Sequence, residues 1–378
     1  MNAAVDALVR AGDLAGAADR LEADLAGAEP DLTQYLKLAG LRRALRQPRR
    51  ALKAVEAGLV LAPLDFMGLV MRAGLLENMG DPTAGRAWDE ALAQRPEGDL
   101  PPPLLAALKQ GEILRDQWRA ERAASLSAIT QSIEAEAQGD EAWRMARFRS
   151  NTLRQTRAYH CEPTHFHYPG LSEREFHPAQ RFPWLDEVAA ATDAIRAEML
   201  AVMQSDRAEL APYIQYAAHQ ALRQWQPLNH NPDWTAIHLI RRGEVVAANA
   251  AQCPTTMDLL SRMPQPDIPG ASANALFSLL APNTAIPPHV GVSNARLLCH
   301  VPLVVPDGCW FRVGAETRMW REGEPFIFDD TIEHEAMNPS PHLRVVMIFD
   351  IWHPDLTPAE RDVVRAIVAE ESAAGSLG

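Results

Sequence analysis

Residues 274–306 read NALFSLLAPNTAIPPHVGVSNARLLCHVPLVVP. Two apolar runs, ALFSLL and RLLCHVPLVV, are separated by a stretch punctuated with Pro, Asn and Gly. Period-two alternation in the second run puts Leu297, Cys299, Val301, Leu303 and Val305 on one face of a strand, and Arg296, Leu298 and His300 on the other. Similar short runs (TAIHLI, CWFRV, EPFIFDD, LRVVMIFDIW) recur from about Thr235 onward, broken by Gly, Pro or Asn. Runs of this length and spacing predict a mainly antiparallel sandwich or barrel rather than alternating β-α units.

Chemistry-bearing residues cluster around these runs. PPHVGVSN is a Pro/Gly-rich loop that carries His289 to the mouth of the strand, and FDDTIEHEAMN runs a strand into a turn carrying His334, 45 residues later. Arg344 is followed by Val345, Val346, Met347 and Ile348, so its guanidinium needs an anion if it enters the core. That anion is either Asp350, on the same face six residues on, or a ligand carboxylate, for which arginine offers a two-pronged fork. Two histidines at the rim of a barrel with an inward arginine suit a non-haem Fe(II) centre that keeps positions open for an oxo-acid and dioxygen. Asp329, Asp330, Glu333 and Glu335 either orient His334 or form a solvated acidic turn.

Working outward, residues 161–185 are rich in His, Pro and aromatics, and an amphipathic helix follows to about Ser205. At the other end Thr357, Pro358 and Glu360 form a helix-start signature. The first hundred residues repeat with a period of 33: Ala18, Ala51 and Ala84 align, as do Pro30, Pro63 and Pro96. Such a period signals stacked helical pairs, with small residues at the packing point and proline at the stop. Pro101, Pro102 and Pro103 end the array and open a second helical stretch over about 104–157. The expected domains are helical repeats over 1–98, a helical bridge over 99–160 and a catalytic domain over 161–378.

Composition narrows the partners. The 378 residues carry 36 basic and 49 acidic side chains, a formal charge of −13, with no Lys/Arg-rich block. Nucleic acid and anionic membrane surfaces are therefore not expected partners. No apolar stretch approaches the length of a membrane span, and the first residues, MNAAVDALVRAGDLAGAADRL, carry acids inside their apolar pattern, unlike a signal peptide. Cys161, Cys253, Cys299 and Cys309 are scattered without a CxxC pair, which predicts reduced thiols and a cytoplasmic setting.

The repeats resemble the tetratricopeptide family, whose concave face binds peptides; packing alone is the other use for such an array. Residues 274–358, with the run quoted above, then FDDTIEHEAMN and LRVVMIFDIWHPDLTP, resemble the aspartyl/asparaginyl β-hydroxylase family of 2-oxoglutarate-dependent oxygenases. YPGL from Tyr168, FPWL from Phe182, Asp233 with Trp234, and NAAQCPTT from Asn249 extend the resemblance over about 165–362. The two resemblances imply an α+β multidomain chain, a TPR-like array followed by a double-stranded β-helix (jelly-roll, cupin-like) with flanking helices. The second implies Fe(II), 2-oxoglutarate and O2 as cofactors, the iron held by His289 and His334. It further implies that Arg344, helped by Ser278, binds the 5-carboxylate of 2-oxoglutarate, that His300 contacts the end nearest the metal, and that Arg296 lies on the substrate side. Gly291 stands where many barrel relatives place a third, carboxylate ligand, and the family's better-known members also have glycine there. Leu298 stands where some members that hydroxylate aspartyl residues carry a second arginine, so the usual binding of an acidic side chain is in question. The implied reaction is hydroxylation of an unactivated carbon in a peptide or protein, with activity falling as pH drops through about 6. Two other readings are a halogenase using the space at Gly291 for chloride, and an inactive TPR-barrel adaptor.

Overall fold

The computed structural model describes residues 3–27, 31–204, 210–213, 215, 226 and 229–375. The chain forms two compact units, Met1–Leu153 and Arg154–Gly378.

The first unit is all helical. Helices α1 (Ala3–Arg10), α2 (Leu14–Gly27), α3 (Leu32–Ala44), α4 (Pro48–Leu61), α5 (Phe66–Asn78), α6 (Ala84–Leu92) and α7 (Pro102–Glu134) each pack on the next in sequence; α8 (Gly139–Thr152) follows. Local sequence accounts for the starts: Asp31 closes a capping box with Gln34, and Asp65 accepts from the Gly68 N–H. Ala18 and Ala51 are fully buried and Ala84 nearly so, which lets neighbouring helices approach closely. Pro63 and Pro96 follow α4 and α6 as the period predicts; Pro30 lies outside the described residues. Gly111 of α7 lies under Trp88 of α6, where a Cβ would stand 2.3 Å from the indole, so glycine is required by space.

The second unit bears out the antiparallel sandwich. Its strands are β1 (Phe176–His177), β2 (Leu210–Pro212), β3 (Trp234–Arg241), β4 (Glu244–Val245), β5 (Ala275–Leu280), β6 (Thr284–His289), β7 (Arg296–Val304), β8 (Trp310–Val313), β9 (Glu316–Met319), β10 (Phe326–Phe328), β11 (His334–Asn338) and β12 (Arg344–Trp352). A large sheet runs β1-β10-β7-β12-β5-β3-β2 with β4 on β3; a small sheet runs β6-β11-β8-β9. This is a jelly roll. Helices α9 (Leu185–Ala190), α10 (Thr192–Met203), α11 (Ala247–Ala250), α12 (Pro254–Ser261) and α13 (Pro358–Ala373) flank it, and α13 starts on the Thr357–Glu360 capping box. The helix expected up to Ser205 is two helices, α9 and α10, and Ser205 lies outside the described residues.

Alternation along β7 divides two cores. Leu297, Cys299, Val301 and Leu303 join residues of α9, α10 and α12 behind the large sheet. Leu298 faces the space between the sheets, with Trp234, Leu276, Phe311, Phe328, Val346 and Ile348. Val305, expected on the first face, packs instead with the second, because β7 ends at Val304 beside a register shift. Period two sends Arg344, Val346, Ile348 and Asp350 of β12 to the inter-sheet side.

Candidate active site

His289 ends β6 and His334 begins β11, so both are strand termini rather than the loop and turn residues that their neighbours suggest. They are direct partners in the β6–β11 register, and their ring centroids stand 3.9 Å apart. Each ring sets Nδ1 against the carbonyl two residues before it: His289 on Pro287 O at 2.8 Å, His334 on Ile332 O at 3.0 Å. A neutral ring in that position donates from Nδ1 and keeps its lone pair on Nε2, the tautomer a metal needs. Burial, then the neighbouring His334, pushes His289 well below the usual histidine range. Burial brings His334 down to about 4. The titration expected near pH 6 is displaced accordingly, and both rings are neutral at pH 7.

Gly291 is explained by space. A Cβ there would lie 2.1 Å from Asp330 Oδ2, and the Gly291 N–H already donates to Asp330 O at 2.6 Å. Asp330 is 4% exposed and accepts from Arg296 Nη2 at 3.0 Å. Burial raises the Asp330 carboxyl and Arg296 opposes that rise. The acidic segment therefore divides. Asp329 and Asp330 are buried, Asp329 accepting from Thr331 N and Oγ1 and lifted by burial to about 6. Glu333 and Glu335 instead pair with Arg312. Nδ1 of His334 is met by a backbone carbonyl, not by any of these acids.

Arg344 is 2% exposed and makes no ion pair among the described residues. Its Nη1 donates to Ser278 O at 3.3 Å and reaches Ser278 Oγ at 3.5 Å, while Nε has no protein partner. Burial lowers its pKa to about 10. Asp350 is not its counter-ion: six strand residues span about 20 Å, and Asp350 accepts instead from Ser272 Oγ and from the backbone and side-chain N–H groups of Asn274. Trp234 donates to Ser278 Oγ at 3.1 Å, fixing the hydroxyl beside the guanidinium. His300, on the same face as Leu298, is 5% exposed and walled by Phe311 and Phe328 at 5.0 and 4.7 Å; its Nδ1 has no partner among the described residues. Arg296 Nη1 and Asp330 Oδ1 are likewise buried and unmet. Leu298 is half-buried and lies opposite Asp350 in the β7–β12 register.

Ferrous iron and a dicarboxylate both fit these residues. Two neighbouring neutral imidazoles supply nitrogen donors, and a buried guanidinium with an unmet Nε–H and no acid beside it among the described residues suits an anion. Sequence reasoning missed Trp320, whose ring lies 4.8 Å from the Arg344 guanidinium carbon. A lone tryptophan between Met319 and Arg321 carries no periodic signal. It also left Asp330 undecided, since an acid in an Asp/Glu-rich turn looks like a solvated one.

Residues 189–354 match a family model described as aspartyl/asparaginyl beta-hydroxylase. The human protein named aspartyl/asparaginyl beta-hydroxylase is 34% identical over 175 residues, 46% of this chain and 21% of that one. Human aspartate beta-hydroxylase domain-containing protein 2 is 35% identical over 154 residues, 39% of this chain and 42% of that one. The chain thus spans less than half the length of either relative. Similar solved structures include a cupin 2 conserved barrel domain protein from Salinispora arenicola (14% identity, TM-score 0.19, 27% of this chain and 76% of that one). A cupin domain from Bordetella pertussis is another (17%, TM-score 0.18, 21% and 80%).

Proposed function

We propose, from the match of residues 189–354 to the aspartyl/asparaginyl β-hydroxylase family model, that the C-terminal unit is an Fe(II)- and 2-oxoglutarate-dependent dioxygenase. Its substrate is an unactivated carbon in a peptide or protein, the β-carbon of an Asp- or Asn-type residue foremost. When bound, iron and 2-oxoglutarate supply the chemistry: with O2 they turn a C–H bond into C–OH, and 2-oxoglutarate leaves as succinate and CO2. His289 and His334 hold the metal through Nε2, their orientation fixed by the Pro287 and Ile332 carbonyls. Arg344 and Ser278 grip the distal carboxylate of the cosubstrate, and His300 lies toward its metal end. Arg296, steadied by Asp330, faces the substrate side with Leu298. Phe311, Phe326 and Phe328 keep water from the reacting carbon.

The observation that carries this reading is Arg344, buried and met by no carboxylate among the described residues, and joined to the paired histidines through Trp320 and Phe311, whose ring stands 5.9 Å from His334. Anaerobic titration tests it: the chain should bind Fe(II), and then 2-oxoglutarate in a metal-dependent way. His289→Ala should lose the metal, and Arg344→Ala should keep the metal and lose the dicarboxylate. A wild-type chain that takes up neither would overturn the proposal. The halogenase reading is opposed by Asp330, whose carboxylate would set a second anion beside any halide at Gly291.

The helical pairs of the N-terminal unit, read as TPR-like, are proposed to bind a segment of the target protein. No helix among the described residues is long and apolar enough to cross a membrane. Four buried, unpaired cysteines fit a reducing, cytoplasmic setting.

A further inference from the structure

Among the described residues, several buried polar atoms of the C-terminal unit lack a hydrogen-bond partner, and three of them crowd one place. Trp320 is 5% exposed and its indole N–H is unmet. The Arg344 guanidinium lies 4.8 Å over its ring, Phe311 stacks on it at 5.3 Å and 20°, and His300 stands 6.2 Å away. Arg344 Nε and His300 Nδ1 are the other two unmet atoms. Buried indole N–H groups nearly always find an acceptor, since leaving one without costs the full desolvation penalty. An ionised carboxylate is acceptor-only, with about four lone-pair sites, enough to serve a guanidinium and an indole together.

Resting on the function proposed above, we infer that Trp320 is a further cosubstrate-binding residue: its ring face seats the Arg344 guanidinium and its N–H donates to the distal carboxylate that Arg344 clamps. The ring does this in both its roles from one position. Its π face attracts the cation, and its edge presents a donor that neither phenylalanine nor leucine can replace. The ligand class follows: a 2-oxo acid with a second carboxylate, distinguished from a monocarboxylate of the same length because the latter leaves the Arg344 and Trp320 donors unmet.

The test compares binding of 2-oxoglutarate and of 2-oxovalerate, which lacks the distal carboxylate, to the Mn(II)-loaded full chain by calorimetry without turnover. In Trp320→Phe, which keeps a ring face and loses the N–H, the preference for 2-oxoglutarate should fall about tenfold, as for one lost hydrogen bond to a charged group. Trp320→Leu, which loses the face as well, should lower it further, and Mn(II) affinity should be unchanged in both. An unaltered preference in Trp320→Phe with metal binding intact would overturn the inference. Should the variants fail to fold, a crystal structure of the wild-type Mn(II)·2-oxoglutarate complex decides. Nε1 within about 3.2 Å of a distal carboxylate oxygen supports the assignment, and a longer separation defeats it. A wild-type chain that binds no 2-oxoglutarate removes the parent function, an outcome visible before any Trp320 variant is made.

Discussion

Among the described residues each unit buries one arginine to the same 2% exposure, Arg42 in the helical unit and Arg344 in the jelly roll. Arg42 Nη2 meets Asp19 at 2.8 Å and also Glu22, carboxylates that α2 presents to α3. Burial works against its charge, but those two hydrogen bonds hold its pKa above the usual value. Arg344 has a serine and an indole face instead, and its pKa falls to about 10. Equal burial with unequal pairing separates an arginine that ties helices together from one that no described acid meets, the one proposed above to bind a carboxylate.

The largest effect expected is loss of the metal. His289→Ala or His334→Ala should abolish Fe(II) binding and bring succinate formation to background, read by metal analysis and product assay. Next, Arg344→Met should cost at least a hundredfold in 2-oxoglutarate affinity while leaving the melting temperature unchanged or raised, since it removes a buried charge that no acid among the described residues meets. Arg42→Met should do the reverse, lowering the stability of the N-terminal unit by about 1–2 kcal/mol with cosubstrate binding intact; its partners are solvent-exposed, which limits the loss. Equal melting shifts in the two variants would break the comparison.

Acid should separate the units as well. All 12 histidines lie at or beyond residue 160, so only the C-terminal unit titrates this way. Burial brings His177 to about 3 and His238 to about 4, below the ordinary 6.5. A base whose folded pKa is depressed stabilises fully above its unfolded pKa and loses that contribution as pH falls toward the folded value. Each such group therefore removes about 1.4 kcal/mol per pH unit below about 6.5, down to its folded pKa. Differential scanning calorimetry between pH 7 and 4.5 should show the C-terminal transition moving down much faster than the N-terminal one; parallel shifts would count against the burial of these rings. Smaller again, Gly291→Ala should cost about 1–3 kcal/mol in the C-terminal unit by displacing Asp330 from Arg296, measured by urea unfolding. The smallest effect is one the units share: Asp31→Ala and Thr357→Ala each remove a capping box and should each cost about 1 kcal/mol.

Legibility followed the range of the interaction. Alternation over residues 296–303 gave the two faces of β7, and the 33-residue period gave the alanine packing points of the helical pairs, because both depend on neighbours a few residues away. Arg344 was legible as a cation needing an anion, but the choice between Asp350 and a ligand was not: side-chain period two puts 344 and 350 on one face without saying how far apart they lie. The faces of Asp330 and Glu333 looked alike in sequence. Gly291 and Arg296 draw the first into the site, and Arg312 holds the second outside it.

By itself the sequence determined which residues alternate, where helices start, and which stretches resemble the hydroxylase family, since each is written in local order and residue type. Tertiary structure alone decided that two histidines 45 residues apart face each other across β6 and β11, that Asp330 occupies the space over Gly291, and that Trp320 lies against Arg344. Those contacts depend on how two sheets close over one another, and closure is set by packing across the whole inter-sheet core rather than by any stretch of chain read alone.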